Sequence, residues 1–418
     1  MSKFSTRDFF GVFRMTAAIV AFAIVITEIV NAADVQVIVT GAQKHLFAVT
    51  GFTGDAGVAG PVTEVLKNDL SWSGHFQLTP AANAEYVQQG IVRVERGQGA
   101  VECTVTLRAT KEVVLSKSYS GSEQDLRRMV HKLSDDIVAK ITGERGIAQT
   151  KIAFVLSRGG TKELAVMDYD GHSAKQLTYD KSLSVRPRWS PDGRKIIYTS
   201  YLSVFPDVLA VDLVTGQRKK MSNFPGLNTG AVFSPNGRTV ALTLSKDGNP
   251  ELYTMDADGG GFRRMTHTKG AESSPTWSPD GEYIAYVSDD GGSPQVYMIQ
   301  KDGGEPQRLT VSPSYNTEPD WSRPPATSQL KPMLAVTSRV GGKFQIGLYD
   351  IVTREVKMLT DDGDADNEDP SWAPDGRHIV FTKIRGGRSQ LYLLDVLTKQ
   401  QVQLGAIEGN ASEAAWGP

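Results

Sequence analysis

The sequence predicts a mainly β protein: a six-bladed β-propeller over residues 151–418, a small α/β domain over 33–150 before it, and a secretory leader over 1–32. Three observations carry this expectation: a turn motif that returns at a fixed interval, a preceding stretch of mixed periodicity without a repeat, and a charged, apolar, small-residue order at the start.

The motif comes first because it governs most of the chain. "RWSPDG" at 188 returns as "VFSPNG" at 232, "TWSPDG" at 276, "DWSRPP" at 320, "SWAPDG" at 371 and "AWGP" at 415. The aromatic positions Trp189, Phe233, Trp277, Trp321, Trp372 and Trp416 are 44, 44, 44, 51 and 44 residues apart. After each turn come two β-rich runs, such as "KIIYTS" or "YIAYVS" and then "ELYTMD" or "QLYLLD", and a last short run ending "RRMT" or "QRLT". Four short strands in about 44 residues are the size of a propeller blade. In Ser-Pro-Asp-Gly, proline pre-sets φ, aspartate bonds nearby backbone and glycine closes the bend, so Asp192, Asp280 and Asp375 are read as architecture. The aromatic before the turn should pack between blades. Six second-strand ends imply six blades, and the strand ending at Trp416 should complete the first blade and close the ring. The spacing of 51 and Pro324, Pro325 and Pro332 mark a longer surface loop.

Residues 33–150 mix periods. "VQVIV", "IVRVE" and "CTVTLRA" read as strands; "PVTEVLKNDLSW" spaces Val62, Val65, Leu66 and Leu70 for one helical face. From Ser122, Leu126, Met129, Val130, Leu133, Ile137 and Ile141 line another, with Ser122 capping its start and Gly143 its end.

At the start, Lys3, Arg7 and Arg14 precede the apolar run 15–27, and Val30-Asn31-Ala32 suits cleavage after Ala32. The expected location is therefore periplasmic. Loss of 1–32 removes three cations and two anions, taking the net charge from −2 to −3. That balance, without a Lys/Arg block, argues against nucleic acid as a partner. Cys103 is the single cysteine, so no internal disulfide is available and packing must hold the fold.

"NDLSWSGHF" (68–76), then "MVHKLSDDIVAKITGERGIAQTKIAFV" (129–155) leading directly into the blades, resembles the TolB family, periplasmic components of the Tol-Pal system of Gram-negative envelopes. The resemblance implies a non-enzymatic adaptor that binds the peptidoglycan-associated lipoprotein Pal and the inner-membrane protein TolA, and meets the membrane only through these partners. It maps the Pal face onto loops before each first strand: 226–230, 271–274, 315–318 and 366–369. Leu227, Gly230, Ser273, Ser274 and Glu318 are the candidate Pal contacts; Val35, Val37 and Val39 of the mature amino-terminal strand are the candidate TolA contacts. The loops are uncharged or acidic, which suits a partner bringing donors or cations.

No cofactor, resident metal or small-molecule substrate is expected. The histidines are scattered without zinc spacing, and His131 lies beside the apolar face of its helix as a packing or boundary residue. The acidic run 361–369 has Asp362, Asp364 and Asp366 at alternate positions, but an EF-hand count from Asp362 meets Asn367 and Ala373 where glycine and glutamate are required. A looser calcium cage is left open beside a solvated or partner-facing loop. The competing reading is an exported propeller hydrolase working through channel carboxylates; no G-x-S-x-G elbow accompanies it.

Overall fold

The computed structural model describes residues 44–418 except 327, 329, 352 and 406. The leader, the cleavage point after Ala32, and Val35, Val37 and Val39 lie outside the described residues.

Residues from His45 onward build a five-stranded sheet in the order β2-β1-β3-β4-β5, where β1 is His45–Gly54, β2 Phe76–Leu78, β3 Tyr86–Glu95, β4 Gln98–Leu107 and β5 Val113–Ser122. β1 pairs in parallel with β2 and β3, and the rest is antiparallel. Helices α1 (Ala56–Trp72) and α2 (Leu126–Thr142) lay their apolar faces on Phe47, Val92, Val101 and Val105 of this sheet. The expected faces are the buried ones, with Ile141 partly buried at the edge.

Two helix starts differ from the sequence reading. α1 begins before Pro61, at Ala56, because the Asp55 carboxylate accepts the Gly57 N–H at 3.0 Å and supplies the cap. Ser122 does not cap α2; its hydroxyl donates to Asp125 at 2.7 Å, and a 3-10 turn, Glu123–Asp125, intervenes. Gly143 ends α2 as expected, at φ 76° with its N–H on the Ala139 carbonyl. Cys103 is buried, which pushes its thiol up to about 12 and keeps it a packing group.

Among the described residues, Lys151 onward forms six four-stranded antiparallel sheets. Numbered round the ring, blade 1 has Asn410–Trp416 as its innermost strand and Lys151–Arg158 as its second; the innermost strands of blades 2–6 are Ser184–Trp189, Asn228–Phe233, Glu272–Trp277, Asn316–Trp321 and Asp366–Trp372. The pairing of Asn410–Trp416 with Lys151–Arg158 closes the ring with strands from both ends of the propeller sequence, as the repeat predicted.

The aromatics sit between blades. The indole N–H of Trp189 donates to the Ala415 carbonyl (3.0 Å), that of Trp277 to Val232 (3.3 Å) and that of Trp372 to Asp320 (3.0 Å), each on the innermost strand of the preceding blade. Trp321 is buried like Trp277 and Trp372, whereas Trp189 is partly buried, yet the Trp321 indole N–H finds no acceptor among the described residues. The repeated turn is architectural: Ser190 donates to Asp192, which also accepts the Arg194 N–H, and Ser278, Asp280 and Glu282 repeat the pattern.

The small α/β unit sits on the face of the propeller that carries these turns. There the buried Arg377 donates to the Gly74 carbonyl (2.9 Å) and forks onto Asp395 at 3.1 and 2.7 Å. Nearby, Asp69 of α1 accepts from Tyr169 (2.6 Å) and shares a 2.8 Å bond with His131 of α2, while Arg127 pairs with Asp170. Trp72 packs edge-on against Tyr169 at 6.0 Å. His131 is thus a bonded member of the junction. Burial opposes its charge, but the bond to Asp69 and the charges of Asp69 and Asp170 outweigh burial and raise its pKa.

Candidate functional site: a ring of bulged residues at the channel mouth

Each innermost strand starts on the face opposite the small unit, and each carries the same irregularity. Pairing with the second strand slips between Val185 and Arg188, Thr229 and Val232, Ser273 and Thr276, Thr317 and Asp320, Glu368 and Ser371, and Ser412 and Ala415. Two residues therefore face one, which is a β-bulge. The first bulged residue is left-handed in all six blades: Arg186 (φ 54°), Gly230 (64°), Ser274 (50°), Glu318 (50°), Asp369 (54°) and Glu413 (50°). Proline or alanine follows each, and proline is tolerated because the innermost strand has no neighbour on its channel side. Non-glycine residues pay strain at positive φ, so a bulge repeated six times, five of them at non-glycine residues, aims five side chains by design of the fold.

These side chains converge. The Arg186 guanidinium of blade 2 donates to Ser274 Oγ of blade 4 at 3.2 Å, across a blade whose ring residue, Gly230, has no side chain. Glu413 accepts the Arg186 N–H at 2.8 Å, and Glu318 accepts the Asp369 N–H at 2.9 Å, so a carboxylate of one blade satisfies the bulge of the next. Thr337 adds a 2.8 Å bond to Glu318, and Lys162 lies 3.4 Å from Glu413. Burial first, then the charges of Glu318 and Glu413, hold the Asp369 carboxyl far above its usual range. Glu368, beside it, is pushed up to about 7 by burial and by Glu318 and Asp366.

The loops leading into the ring are pinned from below. Asn228 donates to the Phe224 carbonyl (2.7 Å), Asn316 to Pro313 (2.6 Å), and Asn367 to Gln345 (2.9 Å), while Glu272 accepts from Thr268 (2.7 Å) and Ser288 (2.8 Å). The mouth is therefore preformed, acidic on the side of blades 5, 6 and 1 and neutral on that of blades 3 and 4.

Of the sequence candidates, Gly230, Ser274 and Glu318 are ring members, Ser273 precedes one, and Leu227 lies in the adjoining loop with its N–H on Ser245 Oγ at 2.7 Å. Gly230, Ser273, Ser274 and Glu318 lie within strands instead of loops, because the ladder resumes on the far side of the bulge. Arg186 and Glu413 are ring members that sequence reasoning passed over, and Asp369 was noted only as part of a loop. The signal was present: each stands three residues before its aromatic. The acidic run does not gather into a cage, since Asp362 pairs with Lys383, Asp364 with Arg385 and Asp366 with Lys343, each at 3.0 Å. A potential ligand trio, Asp69, His131 and Asp170, lies instead in the junction, where Tyr169 and Arg127 already occupy its carboxylates. No nucleophile is paired with a base among the described ring residues; Ser274 Oγ accepts from Arg186 instead.

Because Glu368 carries a raised pKa, it holds a proton in the folded state over a range where the unfolded chain has lost it. Its favourable contribution is complete below the unfolded carboxylate pKa and is lost as pH rises through about 7. Glu368→Gln is therefore expected to raise the melting temperature at pH 8 and leave it unchanged at pH 4. Paired thermal melts check this, and an equal shift at both values would contradict it.

Residues 138–418 match the family model described as TolB beta propeller domain. The Tol-Pal system protein TolB of Bordetella avium is 34% identical over 210 residues, covering 46% of this chain and 47% of that protein. Its namesake from Legionella pneumophila is 30% identical over 228 residues, covering 50% and 54%. In these alignments the chain spans about half the length of the relatives it matches. The crystal structure of TolB from Acinetobacter baumannii superposes with a TM-score of 0.80 at 28% identity, covering 90% of this chain and 97% of that one. A nidogen/laminin complex shares the propeller fold alone, with a TM-score of 0.52 at 12% identity over 64% of this chain and 98% of that chain.

Proposed function

Since this chain belongs to the TolB β-propeller family over residues 138–418, we propose that it is a non-catalytic adaptor of a Tol-Pal system, exported through residues 1–32 and working in the periplasm. It binds a Pal-like peptidoglycan-associated lipoprotein at the channel mouth, through Leu227, Gly230, Ser273, Ser274 and Glu318. The amino-terminal strand with Val35, Val37 and Val39 engages a TolA-like inner-membrane protein. By joining the two membranes' components, the adaptor maintains envelope integrity and outer-membrane constriction at division.

The observation that carries this reading is the ring of six left-handed bulge residues. It invests strain in presenting side chains at an open mouth, and it offers acceptors and a guanidinium without a nucleophile–base pair. Such a surface recognises a protein by shape and charge. A mildly acidic chain without a basic block and without a disulfide suits the same setting.

The test is retention from envelope extract, with mass spectrometry of what is held, for the parent and for Ser273→Arg/Ser274→Arg. An arginine is compatible with the backbone at 274, because Arg186 occupies the equivalent position of another blade at φ 54°. The parent is expected to retain a Pal-like lipoprotein and the folded variant to lose it. A folded parent that retains no such lipoprotein would sink the adaptor reading.

A further inference from the structure

The rim of the ring face is not six-fold. Hairpins joining second to third strands open on this face, and in blades 1, 5 and 6 they are two-residue Gly-Gly turns: Gly159-Gly160 (φ 57° and 85°), Gly341-Gly342 (60° and 83°) and Gly386-Gly387 (58° and 79°). The blade 5 tip is flanked by Val340 and Lys343, whereas those of blades 1 and 6 adjoin an arginine. Two consecutive left-handed residues make the tight turn that matches strand twist, and these hairpin tips carry no side chain. Arg158 and Arg388 flank the tips of blades 1 and 6. Between those two hairpins lies an open cleft of about 430 Å³ lined by Ser157, Arg158, Gly159, Arg388, Gly409 and Asn410.

The charged and amide groups of this cleft are donors. The Arg158 guanidinium is fixed by Nε donating to the Glu408 carbonyl at 2.8 Å. The Asn410 side-chain oxygen accepts the Ser389 N–H at 3.2 Å, which fixes the amide at the cleft wall. Arg388 has no acidic partner among the described residues, whereas Arg385 on the same hairpin is neutralised by Asp364 at 3.0 Å. Among the described residues the acid that pairs with Arg158 is Glu408, 3.8 Å away and 93% exposed, a loose contact that an incoming carboxylate can displace. The floor cannot fill: Gly409 has φ 102°, and a Cβ there would lie 2.8 Å from the Ser157 carbonyl oxygen and 3.0 Å from Arg158 Cγ.

The geometry points to this cleft as a carboxylate subsite that takes an acidic side chain of the protein docked on the channel mouth. The inference rests on the adaptor reading above and deepens it. Charge complementarity identifies the occupant: the mouth is acidic and the seam between blades 6 and 1 is cationic, so one partner bringing a cation to the first and a carboxylate to the second satisfies both. The subsite also answers a problem inherent in a ring of near-equivalent blades. The bulges repeat at every seam, and a cleft flanked by Arg158 and Arg388 at the seam of blades 6 and 1 fixes how a partner is rotated about the channel axis.

The experiment titrates the soluble domain of the Pal-like lipoprotein into four folded proteins, at low and at physiological salt: the parent, Arg158→Ala/Arg388→Ala, Arg158→Lys/Arg388→Lys, and Ser274→Arg. The cleft variant is expected to weaken binding about tenfold at low salt and to flatten its salt dependence, while Arg158→Lys/Arg388→Lys recovers part of the affinity. Unchanged affinity and salt dependence in the cleft variant, alongside lost binding in Ser274→Arg, overturns the subsite and leaves the adaptor reading standing. A parent that does not bind overturns the adaptor reading, and the subsite with it.

Discussion

Replacing Trp277 with alanine is expected to lower the unfolding free energy by about 3–5 kcal/mol, the cost of emptying a buried aromatic site. Trp277 is 3% exposed, packs with Ile284, Tyr286 and Ile299 of its own blade and Val232 of the one before, and donates to the Val232 carbonyl. Its loss removes packing from a seam that neither blade can bury alone. Trp321 supplies an internal contrast, because its buried indole N–H has no acceptor among the described residues. Trp372→Phe strands the Asp320 carbonyl, whereas Trp321→Phe removes an unmet donor. The first should therefore cost more than the second by roughly 1–2 kcal/mol. Denaturant midpoints of the three variants decide the matter; a melt of Trp277→Ala close to that of the parent would remove the aromatics from their assigned role.

Arg377→Ala is expected to be of similar size, about 3–5 kcal/mol, because it leaves a buried carboxylate without its cation. Arg377 is 2% exposed and its guanidinium lies against Asp395 and the Gly74 carbonyl, so the loss loosens the small α/β unit from the propeller as well as blade 6. Burial alone would raise the Asp395 pKa, but the Arg377 hydrogen bond and the charges of His378 and Arg377 hold it far below the carboxylate range. The sign follows from that depression. The stabilisation is present above the unfolded carboxylate pKa and disappears as pH falls through the folded one, so the gap between parent and variant should narrow in acid. Limited proteolysis at neutral pH should cut the variant faster between 143 and 150, where α2 leads into the first blade. Equal cleavage rates and equal denaturant midpoints would contradict this account of the junction.

The propeller was legible because one period writes each blade again: the aromatic, the turn and the strand pair recur at 44 residues, and even the exchange of strands between the two ends follows from where the repeat starts and stops. The ring was only partly legible. Gly230, Ser274 and Glu318 were found, but the six positions have no common residue type that would point to Arg186 and Glu413, and only their common offset from the aromatic betrays them. The bulge that unites them is a property of strand pairing, and alternation of apolar residues does not reveal a slipped register. Least legible was the junction. Asp69, His131 and Tyr169 meet from three separate parts of the chain, Arg377 reaches Gly74 from a fourth, and Asp69 lies on a helix face where apolar spacing offers no reason to expect a buried carboxylate. The start of α1 was missed because a proline inside the helix looked like its first residue, while the cap, Asp55, lies six residues earlier.

The central claim is that a protein partner docks on the ring face, opposite the small α/β unit. Hydrogen–deuterium exchange of the whole protein, with and without the soluble domain of the Pal-like lipoprotein, tests it most directly. The account predicts new protection in 226–230, 271–274 and 315–318, with the turns at 190–194 and 278–282 unchanged. Protection confined to those turns or to α1 and α2, with the ring peptides unaltered, would put the partner on the other face and contradict the account.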